Sequence, residues 1–210
     1  MDIIEALEWR YAVKKFDASK KLTDEKINTV KRALQLTPTS MGLQLMKFVM
    51  VESEEIKKKI TPIAYNQPQI EDASHLIIMC RKTDVEPGDI DSFIETAATT
   101  NDIKVSHESM QDYDKSLRVS LSIPKEQQKI WMDNQVYIAL GNLMTVCAIE
   151  EIDACPMEGF DRKKLNEELG FSEQNLDAVV IFALGVRSEE DYRLKFKKVR
   201  RSLDDLFQTI

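Results

Sequence analysis

The feature that most constrains this fold is a long segment that is apolar on nearly every side. Ser122 and Pro124 stand at N-cap and near-N1 positions before it, and it runs as a helix to about Glu151. The helix leaves no polar stripe, because its apolar residues are Trp131, Val136, Tyr137, Ile138, Leu140, Leu143, Met144, Val146 and Cys147. Such a helix must be buried on most sides, in a large core or in a subunit interface.

Three shorter segments predict strands between the helices. Leu76–Cys80 and Ala178–Val186 are continuous apolar runs, as in strands buried on both faces, and Lys47–Glu52 is rich in β-branched and aromatic residues. Helices begin after capping residues such as Asp2 and Thr23. The mixture of many helices and few strands predicts an α+β or α/β domain of three layers.

The length and charge of the chain narrow the functional classes. The 210 residues suit a single domain covering 1–210, and 29 basic against 36 acidic residues give a net charge of -7. That acidity argues against a surface built for nucleic acid. No apolar run reaches the ~20 residues of a membrane-spanning helix, and the N-terminus does not resemble a secretory signal, so we expect a cytoplasmic protein with no membrane partner.

Cysteine and histidine are too sparse to support a metal site. Cys80, Cys147 and Cys155 are widely spaced without a CxxC pair, and His75 and His107 are the only histidines. We therefore expect free, buried thiols and no bound metal.

A run of cations near the C-terminus stands out in this acidic chain. It contains six basic residues with no acid between them, Arg193, Lys195, Lys197, Lys198, Arg200 and Arg201. Together with Arg10 and Lys14 they could surround a phosphate, but only if the fold brings the two termini together. From charge alone, a solvated face or a nucleic-acid contact is also open. The sequence has no GxGxxG, Walker A or GxSxG motif, so a nucleotide would have to be held in another way.

Two further segments could present polar groups to a ligand. Pro156–Phe160 (PMEGF) combines a rigid proline with a glycine that allows close approach, although a plain αβ turn explains it as well. Tyr65–Gln69 is rich in amides, which suit the pyrimidine edge of a flavin or nucleotide, although loop capping is an equal alternative.

In this order and spacing, these segments resemble the nitroreductase family of flavin enzymes, most closely its oxygen-insensitive NAD(P)H nitroreductase and flavin reductase branch. The matching segments are Met1–Ile4, RYAVKKFD at 10–17, KKLT at 20–23, LTPTSMGLQ at 36–44, NQPQIEDASH at 66–75, QVYIALGN at 135–142, PMEGF at 156–160, and Lys198 with Arg200. They span nearly the whole chain, and only about 83–129 lacks a clear counterpart. In this family that stretch varies and covers the substrate pocket.

The resemblance implies a three-layer α+β fold with a central, mostly antiparallel sheet flanked by helices. It also implies an intertwined homodimer that holds two FMN molecules in its interface. The expected activity is the transfer of hydride from NADH or NADPH through flavin N5 to nitroaromatics, quinones or flavins. A flavin-binding protein of the same fold with little turnover is the alternative.

By position, the resemblance also implies how FMN is held. Arg10, Lys198 and Arg200 would bind the phosphate, Lys14 would reach the N1 side of the ring, and Asn66 would bond the pyrimidine edge. No side chain would act as a catalytic acid or base. The remaining positions expected at the cofactor are Tyr11, Ala12, Pro38, Thr39, Ser40, Gly42, Gln69, Pro156, Met157, Glu158 and Gly159, with Pro38 to Ser40 supplied by the partner subunit and Glu158 and Gly159 meeting N5 through backbone N–H groups.

Some positions depart from the family pattern. Ala12 replaces a common hydroxyl residue, which removes a hydrogen bond worth roughly 0.5–1.5 kcal/mol. Gln69 stands where some members have a second lysine, and Gly42 replaces an asparagine seen in some members. These departures bear on FMN affinity and on the range of acceptors.

Overall fold

The structure is a computed structural model that describes all 210 residues. Four strands form one sheet, and nine α-helices surround it together with three short 3-10 helices. The strands are β1 (Met46–Val51), β2 (His75–Lys82), β3 (Asp153–Met157) and β4 (Leu176–Gly185). The helices are α1 (Ile3–Trp9), α2 (Asp24–Gln35), α3 (Glu54–Ile63), α4 (Gln69–Asp72), α5 (Pro87–Thr100), α6 (Glu108–Leu121), α7 (Lys125–Ile149), α8 (Arg162–Glu168) and α9 (Leu203–Leu206).

The sheet has the order β1-β2-β4-β3, and each neighbouring pair is antiparallel. The two inner strands, β2 and β4, are the two apolar runs of the sequence, and nearly all of their residues are buried. Burial on both faces explains why these strands show no polar alternation.

Helices cover both faces of the sheet, which gives the expected three layers. One core contains Ile60 of α3 and Leu165 of α8 packed with Ile78 of β2. The core on the opposite face contains Val30 of α2 and Val136 of α7. The α+β architecture inferred from the sequence is therefore confirmed.

A third apolar cluster lies under segment 83–129, which has no clear counterpart in the family pattern. This segment forms two helices, α5 and α6, whose buried residues include Ile94 and Leu117. They pack with Leu43 and with Met132 of α7. The two helices thus lie over the loop before β1 and over the first half of α7.

The sequence placed the start of the long helix slightly wrongly. Pro124 is the N-cap residue with ψ 142°, and the helix begins at Lys125. Ser122 instead ends α6. The helix has apolar side chains on all sides, and Ile130, Tyr137, Ile138 and Ile149 remain exposed in the single chain.

No helix in the structure combines the length and apolarity that crossing a bilayer requires.

Candidate functional site

A pocket of about 650 Å³ lies where the N-terminal and C-terminal parts of the chain meet. Its walls come from 8–14, from Arg187 and from 193–200. It is lined by Glu8, Trp9, Arg10, Tyr11, Ala12, Lys14, Arg187, Arg193, Leu194, Phe196, Lys197, Lys198, Val199 and Arg200. The fold therefore joins the two basic regions, which the sequence could state only as a condition.

Asp191 ties the two parts of the chain together. Its carboxylate accepts hydrogen bonds from the Tyr11 hydroxyl at 3.1 Å and from the backbone N–H groups of Lys14 at 2.8 Å and Arg193 at 2.9 Å. Burial would raise the pKa of Asp191, but the backbone N–H groups outweigh it and hold the pKa below its ordinary value. The ionised carboxylate thus anchors both walls of the pocket.

The cations in the pocket repel one another. Burial lowers the pKa of Arg10, and the charge of Arg200 lowers it further. Burial also lowers the pKa of Lys198, with added repulsion from Arg10 and Arg200. The Lys198 ammonium donates to the carbonyl of Leu7 at 2.8 Å and to that of Arg10. An anion bound among these groups would relieve the repulsion, and forked arginine donors with a lysine suit a phosphate.

Lys14 connects the pocket to the sheet. The bridge between Ala12 and Ala154 places this segment beside β3, and Lys14 Nζ lies 3.8 Å from Cys155 Sγ. Burial raises the pKa of the Cys155 thiol, and Lys14 only partly offsets this effect. Cys155 therefore remains a buried thiol, while Lys14 is the cation between the pocket and the end of β3.

Arg187 is a pocket residue that the sequence reading missed. Its guanidinium carbon lies 3.9 Å from the ring centroid of Trp9 and 4.7 Å from that of Tyr11. Its Nε donates to Asp153 Oδ1 at 2.5 Å, and its Nη2 is buried without a partner. Arg193 and Lys197 also line the pocket, whereas Lys195 and Arg201 do not.

The two polar segments singled out in the sequence meet beyond the end of β3. Pro156 and Met157 belong to the strand, and Glu158 and Gly159 follow it. Gln67 Nε2 donates to the Gly159 carbonyl at 2.8 Å, so the amide-rich segment lies against the turn after the strand. In that segment Asn66 is exposed with φ 56°, and Gln69 is buried.

Segment 38–42 lies elsewhere in the chain, against α5 and α7. The Ser40 N–H donates to Gln135 Oε1 at 2.7 Å, and the Thr39 hydroxyl oxygen is buried without a partner. Gly42 has φ +72°, and a Cβ there would lie 3.2 Å from Phe93. None of Pro38, Thr39, Ser40 and Gly42 lines the pocket of the same chain.

The structure thus sorts the predicted residues into three groups. Arg10, Tyr11, Ala12, Lys14, Lys198 and Arg200 line the basic pocket. The second group lies at the end of β3. Its member Pro156 lines a small adjoining cleft with Arg10 and Tyr11, and so links this group to the pocket. Segment 38–42 forms the third group, apart from the other two. No cluster of three His, Cys, Asp or Glu side chains is placed to hold a metal ion.

Comparison with known proteins finds relatives that match nearly the whole chain. The nitroreductase family model matches residues 7–186. The chain is 32% identical to an oxygen-insensitive NAD(P)H nitroreductase of Salmonella typhimurium, with 97% of each chain covered. It is 31% identical to a major NAD(P)H-flavin oxidoreductase of Aliivibrio fischeri over 97% of this chain and 96% of the relative. Among solved structures, a candidate nitroreductase in complex with FMN from Exiguobacterium sibiricum superposes with a TM-score of 0.84 at 19% identity, covering 100% of this chain and 98% of the other.

Proposed function

Because the chain belongs to the nitroreductase family, we propose that it is an FMN-dependent oxidoreductase that uses NADH or NADPH to reduce nitroaromatics, quinones or flavins. The observation that carries this proposal is the meeting of Arg10, Lys14, Lys198 and Arg200 in one pocket of about 650 Å³. A pocket of this size lies in the range of cofactor sites. The similarity to an NAD(P)H nitroreductase and to an NAD(P)H-flavin oxidoreductase along nearly the whole chain supports the same reaction class.

The donor set of the pocket fits the phosphate of FMN. Arg10 and Arg200 offer planar guanidinium forks, and Lys198 offers a point charge. Burial, and after it the repulsion between the cations, lowers the pKa of Arg10 and of Lys198, and a bound dianion would relieve that repulsion. These three residues would bind the phosphate, and Asp191 fixes the two walls of the pocket through the backbone of Lys14 and Arg193.

The ring of the cofactor would extend from the pocket toward the end of β3. Lys14 lies in that direction, beside Cys155, and would stabilise negative charge on the N1 side of the bound ring. Asn66 would bond the pyrimidine edge, and the backbone N–H groups of Glu158 and Gly159 would face N5. When bound, FMN supplies the hydride chemistry by accepting hydride from the nicotinamide and passing it to the acceptor.

We also propose the homodimer that the resemblance implies. The single chain exposes Ile3 and Ile4 of α1 and Ile130 and Ile138 of α7, an apolar surface that a second copy would cover. Segment 38–42 lies away from the basic pocket of its own chain, which agrees with a role at the partner's flavin. A cytoplasmic location remains part of the proposal and is supported by three unpaired cysteines.

Cofactor content and turnover test this function together. The purified protein should be yellow and should release FMN on denaturation, and a colourless protein that takes up no FMN would contradict the proposal. Steady-state rates with NADH and NADPH across quinone, flavin and nitroaromatic acceptors should give the parallel double-reciprocal lines of a ping-pong reaction. A yellow protein without turnover would instead be the flavin carrier.

A further inference from the structure

We propose that Tyr137 and Gln67 are positioning residues that hold the turn at Glu158 and Gly159 so that its two backbone N–H groups stay aimed at the flavin. This inference rests on the proposed function, because it assumes that FMN N5 lies at this turn. It explains how the turn at Glu158 and Gly159 keeps its orientation. Two side chains from separate parts of the chain fix the turn from outside the cofactor site.

The turn carries two backbone donors with no acceptor in the chain. The N–H groups of Glu158 and Gly159 make no hydrogen bond within the protein, whereas the next two, Phe160 and Asp161, donate to Glu158 O at 2.9 Å and to Ile63 O at 3.0 Å. On the other side of the turn, Met157 is paired with Ile181 in the sheet. The free donors are therefore bracketed by backbone that is fixed on both sides.

Tyr137 of α7 holds the first residue of the turn. Its hydroxyl donates to Glu158 Oε1 at 2.6 Å, across 21 residues of sequence. A short bond from a hydroxyl to a carboxylate is among the stronger hydrogen bonds in proteins. Burial, together with this bond to Glu158, raises the pKa of Tyr137 to about 12, so the hydroxyl keeps its proton at neutral pH.

Gln67 holds the second residue. Its Nε2 donates to Gly159 O at 2.8 Å and also to Ala64 O at 3.1 Å, so the amide joins the end of α3 to the turn. A Cβ on residue 159 would lie 3.1 Å from this nitrogen, so any larger residue there would press on the Gln67 amide. Because the carbonyl of Gly159 is held on one side, the orientation of the adjacent peptide groups is restricted.

Restricting the turn matters for hydride transfer. A donor preorganised at the atom that accepts the hydride polarises that atom without reorganising during the reaction. Loosening one anchor displaces the N–H groups, and small displacements of this kind slow a reaction even when the ligand remains bound. The expected signature is slower hydride transfer with little loss of FMN.

The variants Tyr137→Phe and Gln67→Ala each remove one anchor. Tyr192→Phe is the control for the first, since Tyr192 is 54% exposed and lies outside both the turn and the pocket lining. Gln174→Ala is the control for the second, because Gln174 Nε2 donates to the carbonyl of Gly170 at 2.9 Å, a matching amide-to-glycine bond outside the proposed site. Each FMN-loaded variant is mixed rapidly with NADH without oxygen, and its visible spectrum is recorded before mixing.

We expect the limiting rate of flavin bleaching to fall about tenfold in Tyr137→Phe and in Gln67→Ala, with the dissociation constant of FMN within threefold of the unaltered protein. The absorption bands of the bound oxidised flavin should shift toward those of free FMN in these two variants and stay in place in the controls. Unchanged bands and rates in both variants would overturn the inference, as would equal changes in the controls. Loss of FMN with an unchanged spectrum of the remaining bound flavin would show a merely structural role and would also overturn it. Failure of the unaltered protein to bind FMN would refute the proposed function instead.

Discussion

Replacing Arg200 by alanine should weaken FMN binding far more than replacing Lys195, a cation from the same basic run. Arg200 lines the pocket beside Arg10, whereas Lys195 lies outside it. A hydrogen bond to a charged group is worth about 1.5–3 kcal/mol. Loss of this interaction should raise the dissociation constant of FMN about 10- to 150-fold.

The same geometry predicts how a control variant, the stability of the FMN-free protein and a ligand without the phosphate should behave. Lys195→Ala should change the dissociation constant less than about twofold, because an exposed charge outside the pocket is screened by salt. Arg200→Ala should not reduce the free energy of unfolding of the FMN-free protein, since the pKa of Arg10 is lowered by burial and then by the charge of Arg200, and the variant removes that repulsion. Riboflavin, which lacks the phosphate, should bind the Arg200 variant nearly as well as the unaltered protein.

Quenching of FMN and riboflavin fluorescence measures all of these constants in one titration series. Urea unfolding of the FMN-free variants supplies the stability comparison. Equal weakening of FMN binding by Arg200→Ala and Lys195→Ala would refute the assignment of the phosphate to the pocket. Equal weakening of riboflavin and FMN by Arg200→Ala would show that this residue acts on some other part of the cofactor.

Three further predictions concern stability and reactivity. Burial lowers the pKa of His75 below its ordinary value of 6.5, so the unfolded chain binds a proton more readily than the folded chain, and the free energy of unfolding should fall as the pH is lowered from 7.5 to 5.5. His75→Gln should make that fall smaller in urea titrations at the two pH values. An identical fall in the variant would contradict the prediction. Gly42→Ala should lower the free energy of unfolding by about 1 kcal/mol or more, because φ is +72° and Phe93 leaves little room, and an unchanged urea midpoint would refute this. The Cys80 and Cys147 thiols, whose pKa burial raises to about 12, should react with a thiol reagent at pH 8 only after urea unfolds the chain, whereas fast labelling of the native protein would contradict their burial.

The sequence predicted the helices and inner strands well because their signals are local. Asp2 and Thr23, the capping residues of the sequence, both accept hydrogen bonds from the first turns of α1 and α2, and Asp2 forms a capping box with Glu5. Gly170 takes the left-handed conformation, φ +61°, that a glycine just after a helix commonly adopts. Caps and continuous apolar runs depend on neighbours within a few residues, so they can be recognised without tertiary contacts.

Strand β3 was missed because its sequence is atypical of a strand. Asp153–Met157 reads DACPM, which contains a proline and no β-branched residue. The proline is tolerated because β3 is the edge strand of the sheet, where Pro156 lies opposite Phe182 of β4 and the other side of the strand meets only an isolated bridge between Ala154 and Ala12. Pairing with an already buried strand therefore overrides the weak local preference.

The resemblance gave the predicted site residues, whereas the residues that support them came only from the structure. Asp191 reaches the backbone of Lys14 across 177 residues, and Arg187 stacks on Trp9 from a different part of the chain. No spacing or composition rule links such distant positions. The amide-rich segment and the turn after β3 were each visible in the sequence, but their contact through Gln67 was not.

Anaerobic titration of the FMN-loaded protein with NADH and with NADPH is the most direct test of the central claim, that this chain holds FMN and cycles it between a nicotinamide donor and an acceptor. The account predicts that about one equivalent of at least one donor per bound FMN bleaches the flavin absorbance, and that a quinone or nitroaromatic compound then restores it. Bound FMN that keeps its absorbance in an excess of both donors would contradict the account.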